Sequence, residues 1–247
     1  MTTLFIFYDI ETTGRSTKRD KIVQIAASFV FENETVATFS SYVCPDGGLR
    51  KPRNMAPGAA QVTGIQDKLL LDKPSFNVVW KCHFLPAMKE ATNHIAFDRI
   101  CCAGYNNWNF DDVILAREMS DCGRCISSDL GVDSERLYSW DVFKDAKLFF
   151  NKKTDAQGNK LVSNHRLGTV YEHITGEPLM NAHDALSDVN ATFKVSRHRA
   201  LMQSFRIGTN VRPWRCAEEK LAPPVPIVVR IFKQPIKATE KQVENLK

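Results

Sequence analysis

Leu4-Phe5-Ile6-Phe7-Tyr8-Asp9-Ile10-Glu11-Thr12-Thr13-Gly14 is the most informative stretch of the chain. Five consecutive apolar residues suit a strand buried on both faces. Side chains two apart on a strand point the same way, so Asp9 and Glu11 converge on one face, beside a turn that Gly14 permits. Two carboxylates held together repel one another and call for a cation. Hard oxygen ligands of this kind suit Mg²⁺, with Mn²⁺ able to substitute. Taken alone, the stretch is also compatible with two ordinary charges at a strand–loop junction.

Residues 21–31 and 35–43 read as the next two strands, with Asn33-Glu34 between them as a hairpin turn. Cys44 to Pro57 is rich in Pro, Gly and basic residues and reads as a loop. A helix is expected over about 75–90, with Ser75 able to cap it. Ile100–Ala103 is a short apolar strand ending at Gly104. Asn109 is placed to cap a helix running to about Ser120. Cys122 to Tyr138 carries no clear pattern, and Asn151 to Ser163 reads as a polar loop. Helices are expected at about 165–175, stopped by Gly176-Glu177-Pro178, and at about 184–203. The sum is an α/β fold, a mixed sheet flanked by helices.

The 247 residues carry a net charge of +5, and 43% are hydrophobic, as in a globular protein. Residues 1–200 hold 24 basic and 24 acidic residues, whereas 201–247 hold nine Lys/Arg and four Asp/Glu. The basic excess therefore belongs to the C-terminal segment, as a patch for nucleic-acid phosphates or a solvated tail. Ala222-Pro-Pro-Val-Pro226 punctuates it, and Ile227–Phe232 is a candidate strand. We expect a domain over 1–204 and a basic, Pro-containing extension over 205–247. No apolar run is long enough for a membrane span. The run at Leu4–Tyr8 is too short for a secretory leader. A soluble, intracellular protein is expected. The odd set of seven cysteines fits a reducing compartment. Cys122 and Cys125 form the lone CxxC, more in keeping with free buried thiols than with zinc.

Two further stretches carry chemistry. In Gly104-Tyr105-Asn106-Asn107-Trp108-Asn109-Phe110-Asp111-Asp112, Asp111 falls in the first turn of a helix, with Phe110 turned to the core. Acids are common there because the helix dipole favours them. In Asn181-Ala182-His183-Asp184-Ala185-Leu186-Ser187-Asp188, Asp184 is a good cap. That leaves His183 just outside the helix and Asp188 one turn inside it. Leu186, Val189 and Phe193 form the stripe that packs on the sheet.

Together the three stretches resemble the DEDDh exonuclease family. Its pattern is Asp-x-Glu, then Asn-x-x-x-Phe-Asp, then His-x-x-x-x-Asp. This chain supplies Asp9-x-Glu11, Asn106-x-x-x-Phe110-Asp111 and His183-x-x-x-x-Asp188 in that order. The resemblance covers about residues 3–200 and is greatest to the nuclease domain of the bacterial exonuclease I branch. Val62-Thr-Gly-Ile65, His165-Arg-Leu167 and Asn181-Ala-His-Asp-Ala185 add to it.

The resemblance implies a ribonuclease H-like fold and a 3′→5′ exonuclease acting on single-stranded 3′ ends, DNA favoured over RNA. It implies two Mg²⁺ ions on Asp9, Glu11, Asp111 and Asp188, with His183 and Glu11 in catalytic roles. It places Thr12 and Thr13 beside the terminal nucleotide, with Asn106, Arg166 and Asn181 as strand contacts. Tyr105 and Trp108 could stack bases or be buried. Asp141, after Trp140, reads as structural. An RNA or mixed exonuclease is the alternative, as is a nuclease subunit docking on a replication or repair partner through residues 205–247. A binding module that had lost turnover should lack a ligand, and all five key side chains are present.

Overall fold

The computed structural model describes residues 2–45, 54–151, 153–206 and 208–214. The candidate strand at 227–232 and most of the basic extension lie outside them. Among the described residues no helix is long and apolar enough to cross a membrane.

Six strands form one sheet: β1 (Thr3–Thr12), β2 (Ile22–Phe31), β3 (Glu34–Tyr42), β4 (Arg99–Gly104), β5 (Leu137–Asp141) and β6 (Val211–Pro213). Their order is β3-β2-β1-β4-β5-β6. β1 runs parallel to β4 and β4 to β5, while the other neighbours are antiparallel. The mixed α/β sheet expected from the sequence is present. The β2–β3 hairpin turns at Glu32 and Asn33, both left-handed, one residue earlier than expected. Positive φ at both central residues is what a two-residue turn needs to follow the twist of the strands.

The first helices are α1 (Pro57–Thr63) and α2 (Asp67–Leu70). The helix expected at 75–90 is a composite of α3 (Phe76–Val78), a π-helical stretch Val79–Phe84 and α4 (Leu85–Thr92). Pro86 accounts for the widened turn, since it lacks an N–H and its ring crowds the carbonyl four residues back. Ser75 stands at the helix start, but its side chain makes no capping bond.

Next come α5 (Asp111–Asp121), α6 (Ile126–Leu130), α7 (Val142–Phe150), α8 (Leu167–Thr175), α9 (Ala185–Ser196) and α10 (Arg199–Arg206). Phe110, not Asn109, is the N-cap residue of α5, because Asn107–Asn109 form a 3-10 turn ahead of it. The helix expected over 184–203 is two helices, broken after Ser196. The unassigned 122–138 stretch contains α6 and leads into β5. β6 falls within the segment read as an extension and closes the sheet edge.

Alternation along β1 sorts the two layers. Leu4, Ile6, Tyr8 and Ile10 face a core built with Phe76, Trp80 and Phe84 and with Ile114, Leu115 and Met119 of α5. Phe7 faces the opposite core with Trp140, Val142 of α7, Val170 of α8 and Val189 of α9. Val189 is fully buried there, and Leu186 and Phe193 partly so, as the expected stripe requires. Asp9 and Glu11 continue the α9-facing row.

β4 ends in close quarters at Gly104. A Cβ there would lie 2.7 Å from Cβ of Asn107 and 3.3 Å from the Tyr8 carbonyl. Gly104→Ala should therefore destabilise the fold by about 1–3 kcal/mol, as overpacking does. Urea unfolding would measure it.

Candidate active site

β1 outruns its parallel neighbour. The β1–β4 register ends at Phe7 opposite Ala103, so the backbone beyond Phe7 has no partner on that side. The first turn of α5 fills the gap: the Ile10 amide donates to Oδ1 of Asp111 at 3.3 Å. Asp111 is only 6% exposed.

From the other layer, the start of α9 closes over the acidic row. The Asp184 side chain caps this helix by accepting the Ser187 amide at 3.0 Å. Asp188 sits one turn in and accepts the His183 amide on Oδ2 at 3.1 Å. That bond holds His183 in a left-handed conformation, φ 70°, which is unusual for a non-glycine residue. Oδ1 of Asp188 is buried with no partner.

Glu11, His183 and Asp188 are brought together: one ligand atom from each lies within 4.8 Å of the others. Among the described residues this is the one such group of His, Cys, Asp and Glu able to hold a metal ion. Cys122 and Cys125 are half-buried and lie outside it.

The carboxylates strain one another electrostatically. Burial, then Asp111, Glu11, Asp188 and Asp184, hold the Asp9 carboxyl well above the usual range. Glu11 is pushed up to about 8 by burial, then by Asp188, Asp111 and Asp184. Asp111 is pushed up to about 7, by burial and then by Asp112, partly offset by its own amide and that of Ile10. Asp188 is raised by burial, against the lowering effect of the His183 amide. A dense row of carboxylates with an unpartnered buried oxygen and a neighbouring imidazole is a donor set that fits hard divalent cations.

Beside the acids opens a cleft of about 610 Å³, lined in part by Tyr105, Asn106, Phe143, Lys147, His165, Arg166, His183 and Asp188. Asn106 and Arg166, expected at the strand, are exposed on its wall. Asn106 is left-handed, and its amide donates to Asp141 at 2.9 Å. Asn181 is exposed on the left-handed turn before His183.

Thr12 and Thr13 are buried, and their hydroxyls bond within the β1–β2 loop: Thr12 to the Gly14 carbonyl at 2.6 Å, Thr13 to Asp20 at 3.1 Å. Tyr105 meets Phe143 edge-on at 5.6 Å and donates its hydroxyl proton to the His165 carbonyl. Trp108 lies between Lys144 and Arg212, 5.2 and 4.6 Å from its ring centroid. Asp141, read as structural, accepts the Phe143 amide and caps α7.

The sequence assigns no site role to Asp112, Phe143, Lys147 or His165, although His165 falls in a stretch that carries the resemblance. The acid beside Asp111 was visible, but its partners come from Tyr8, Asn107, Ser139 and Arg212, far apart in the chain.

A family model described as RNase_T exonuclease matches residues 6–196. The 3′-5′ exonuclease DinG of Staphylococcus epidermidis is 24% identical over 191 residues, 77% of this chain and 17% of that protein. The DNA polymerase III subunit epsilon of Treponema pallidum is 28% identical over 118 residues, 48% of this chain and 47% of that protein. Among solved structures, E. coli exonuclease I bound to single-stranded DNA in a zinc form superimposes with a TM-score of 0.59. It is 22% identical, and the match covers 83% of this chain and 43% of that one. The complex of E. coli exonuclease I with a dT13 oligonucleotide gives a TM-score of 0.60 at 21% identity, over 84% and 43% of the two chains. The chain thus spans less than half the length of these relatives, and the structural likeness bears on the fold. With the three motifs, the strand-end acids and a family match over most of its length, the chain belongs to the RNase_T exonuclease family.

Proposed function

We propose that the protein is a metal-dependent 3′→5′ exonuclease that releases nucleoside 5′-monophosphates from single-stranded DNA. The observation that carries this reading is the convergence of Glu11, His183 and Asp188 within 4.8 Å, with Asp9 and Asp111 adding charge to the same strand end. Family membership supports dependence on a divalent metal. The exonuclease I complexes with single-stranded DNA and dT13 support a DNA strand as substrate.

Asp9, Glu11, Asp111 and Asp188 would hold two divalent cations, Mg²⁺ or, in its place, Mn²⁺. Four carboxylates carry a charge that two such ions neutralise. When bound, the ions supply positive charge at the scissile phosphate and acidify the attacking water. A ring nitrogen of His183 would take the proton of the attacking water. The bond from its own amide to Asp188 keeps the imidazole beside the acids. Arg166 grips backbone phosphate along the cleft, where its planar fork can bond two oxygens at once. Asn106 and Asn181 border the strand's path, and the bonded Thr12–Thr13 loop forms the floor under the terminal nucleotide.

Digestion of 5′-labelled and 3′-labelled single-stranded DNA, duplex DNA and RNA tests this reading. With Mg²⁺, 3′-labelled DNA should release labelled mononucleotide at once and 5′-labelled DNA should shorten stepwise. Chelator should stop both. Preference for RNA, or release from the 5′ end, would overturn the substrate or the polarity.

His183→Ala should slow turnover by about 10²-fold or more.

The raised carboxyl pKa values also make a stability prediction. The folded state holds these protons more tightly than the unfolded chain, so the metal-free protein loses stability as pH rises from 4.5, the ordinary Glu11 value, to about 8. Divalent metal binds the ionised acids and should raise the melting temperature most at the alkaline end. Thermal melts with chelator and with Mg²⁺ across that window would check both slopes.

A further inference from the structure

Asp111 and Asp112 are adjacent and equally buried, at 6% exposure each. Their surroundings differ. Oδ1 of Asp112 accepts from the Tyr8 hydroxyl at 2.5 Å and from Nδ2 of Asn107 at 2.8 Å. Oδ2 accepts from the Ser139 hydroxyl at 2.7 Å and from Nη2 of Arg212 at 3.0 Å. These donors stand on β1, the 3-10 turn, β5 and β6. Arg212 is the one cation among them.

Arg212 is itself held firmly. Its guanidinium lies 4.6 Å from the Trp108 ring centroid, and its strand pairs Ser139 with Arg212 in the β5–β6 ladder. The Asp141 amide donates to the Asn210 carbonyl at 3.2 Å, and the Trp214 amide to that of Leu137 at 2.9 Å. Trp214 is buried against Tyr8, with ring centroids 6.2 Å apart. All of β6 lies beyond the residues 6–196 that match the family model.

We infer that Arg212 is a positioning residue for Asp111: its ion pair with Asp112 fixes the first turn of α5 so that Asp111 alone is presented to the metals. The inference rests on the reading of Asp111 as a metal-holding carboxylate. A charged pair is a strong anchor because the hydrogen bond is charge-assisted. It also occupies Asp112, so that a cation has no competing carboxylate one residue away. Without Arg212, Oδ2 of Asp112 keeps the Ser139 hydroxyl, and α5 loses its tie to β6. Groups that orient a metal's ligands are worth about 10- to 100-fold in metal affinity or activity when removed.

The test compares full-length Arg212→Ala, Arg212→Gln, Asp111→Asn and Ser204→Ala proteins. Ser204 donates to Asp145 at 2.6 Å in the layer that contains Trp140, so its loss weakens the fold without touching α5. Three quantities are read below the melting temperature: kcat and KM on a labelled oligonucleotide, Mn²⁺ binding by calorimetry without substrate, and metal-free amide hydrogen exchange over residues 110–115. Arg212→Ala should lower kcat and weaken Mn²⁺ binding by about 10- to 100-fold, with KM unchanged and exchange faster. Arg212→Gln should show the same changes, smaller. Ser204→Ala should melt earlier and match the parent in all three.

A folded Arg212→Ala protein with parental kcat and Mn²⁺ affinity overturns the inference, as does a Ser204→Ala protein that reproduces its losses. If Arg212→Ala does not fold, parental behaviour of Arg212→Gln has the same force. Turnover by Asp111→Asn would overturn the metal reading and this inference with it. An inactive Asp111→Asn beside a parental Arg212→Ala overturns the inference alone.

Discussion

Mutual repulsion among the carboxylates at the end of β1 is the constraint around which the site is built. Asp9, Glu11, Asp111 and Asp188 come from three separated stretches, and each carries a pKa raised by burial and by neighbouring acids. Left metal-free, such a cluster opposes folding at neutral pH, because ionising it in the folded state costs more than in the open chain. The rest of the molecule has to hold the acids together against that force. It does so with two apolar layers on the sheet, each delivering one helix start to the same strand end.

The delivery has a clear geometry. β1 extends past the end of its pairing with β4, which leaves an unpaired backbone edge that Asp111 reaches through the Ile10 amide. On the opposite face α9 packs across β1 and β2 and brings Asp188 over the Asp9–Glu11 row. Asn106, Asn181 and His183 all have positive φ around this point. Non-glycine residues enter that region at a cost, and such strain gathers where function fixes the backbone. The Asp188 side chain supports the His183 turn, so one acid both belongs to the cluster and holds the imidazole near it.

Much of this was legible in the sequence, for a physical reason. Buried strands are continuous apolar runs, and the acids that end β1 break the run at the place where the sheet meets solvent. Caps and first turns use few residue types, so Asp184 and Asp111 were readable as helix starts. What escaped were elements whose signal is tertiary. β5 holds Ser139, fully buried because it bonds Asp112 and Asn107, and a polar residue there hides the apolar run. β6 is three residues with an arginine and a proline, a pattern tolerated at a sheet edge and invisible to periodicity. The break after Ser196 has neither Gly nor Pro to announce it. The shape of Thr13, bonded inward to Asp20, depends on a loop closure that spacing cannot express.

Asp111 and Asp112 show most directly that position, not residue type, assigns the chemistry. A single residue apart, with the same exposure, they differ in what meets their oxygens. Four donors, one of them charged, meet Asp112, which makes it an anchor with little capacity left for a cation. Asp111 receives two backbone amides, its own and that of Ile10, and otherwise faces like charges, with no cation beside it among the described residues. A helix turns by 100° per residue, so neighbours at a helix start cannot face the same way. One residue is therefore free to bind the layers together while the next is offered to the site. The anchor's charged partner stands on the last described strand, so the electrostatics at the end of β1 are completed about two hundred residues later in the chain.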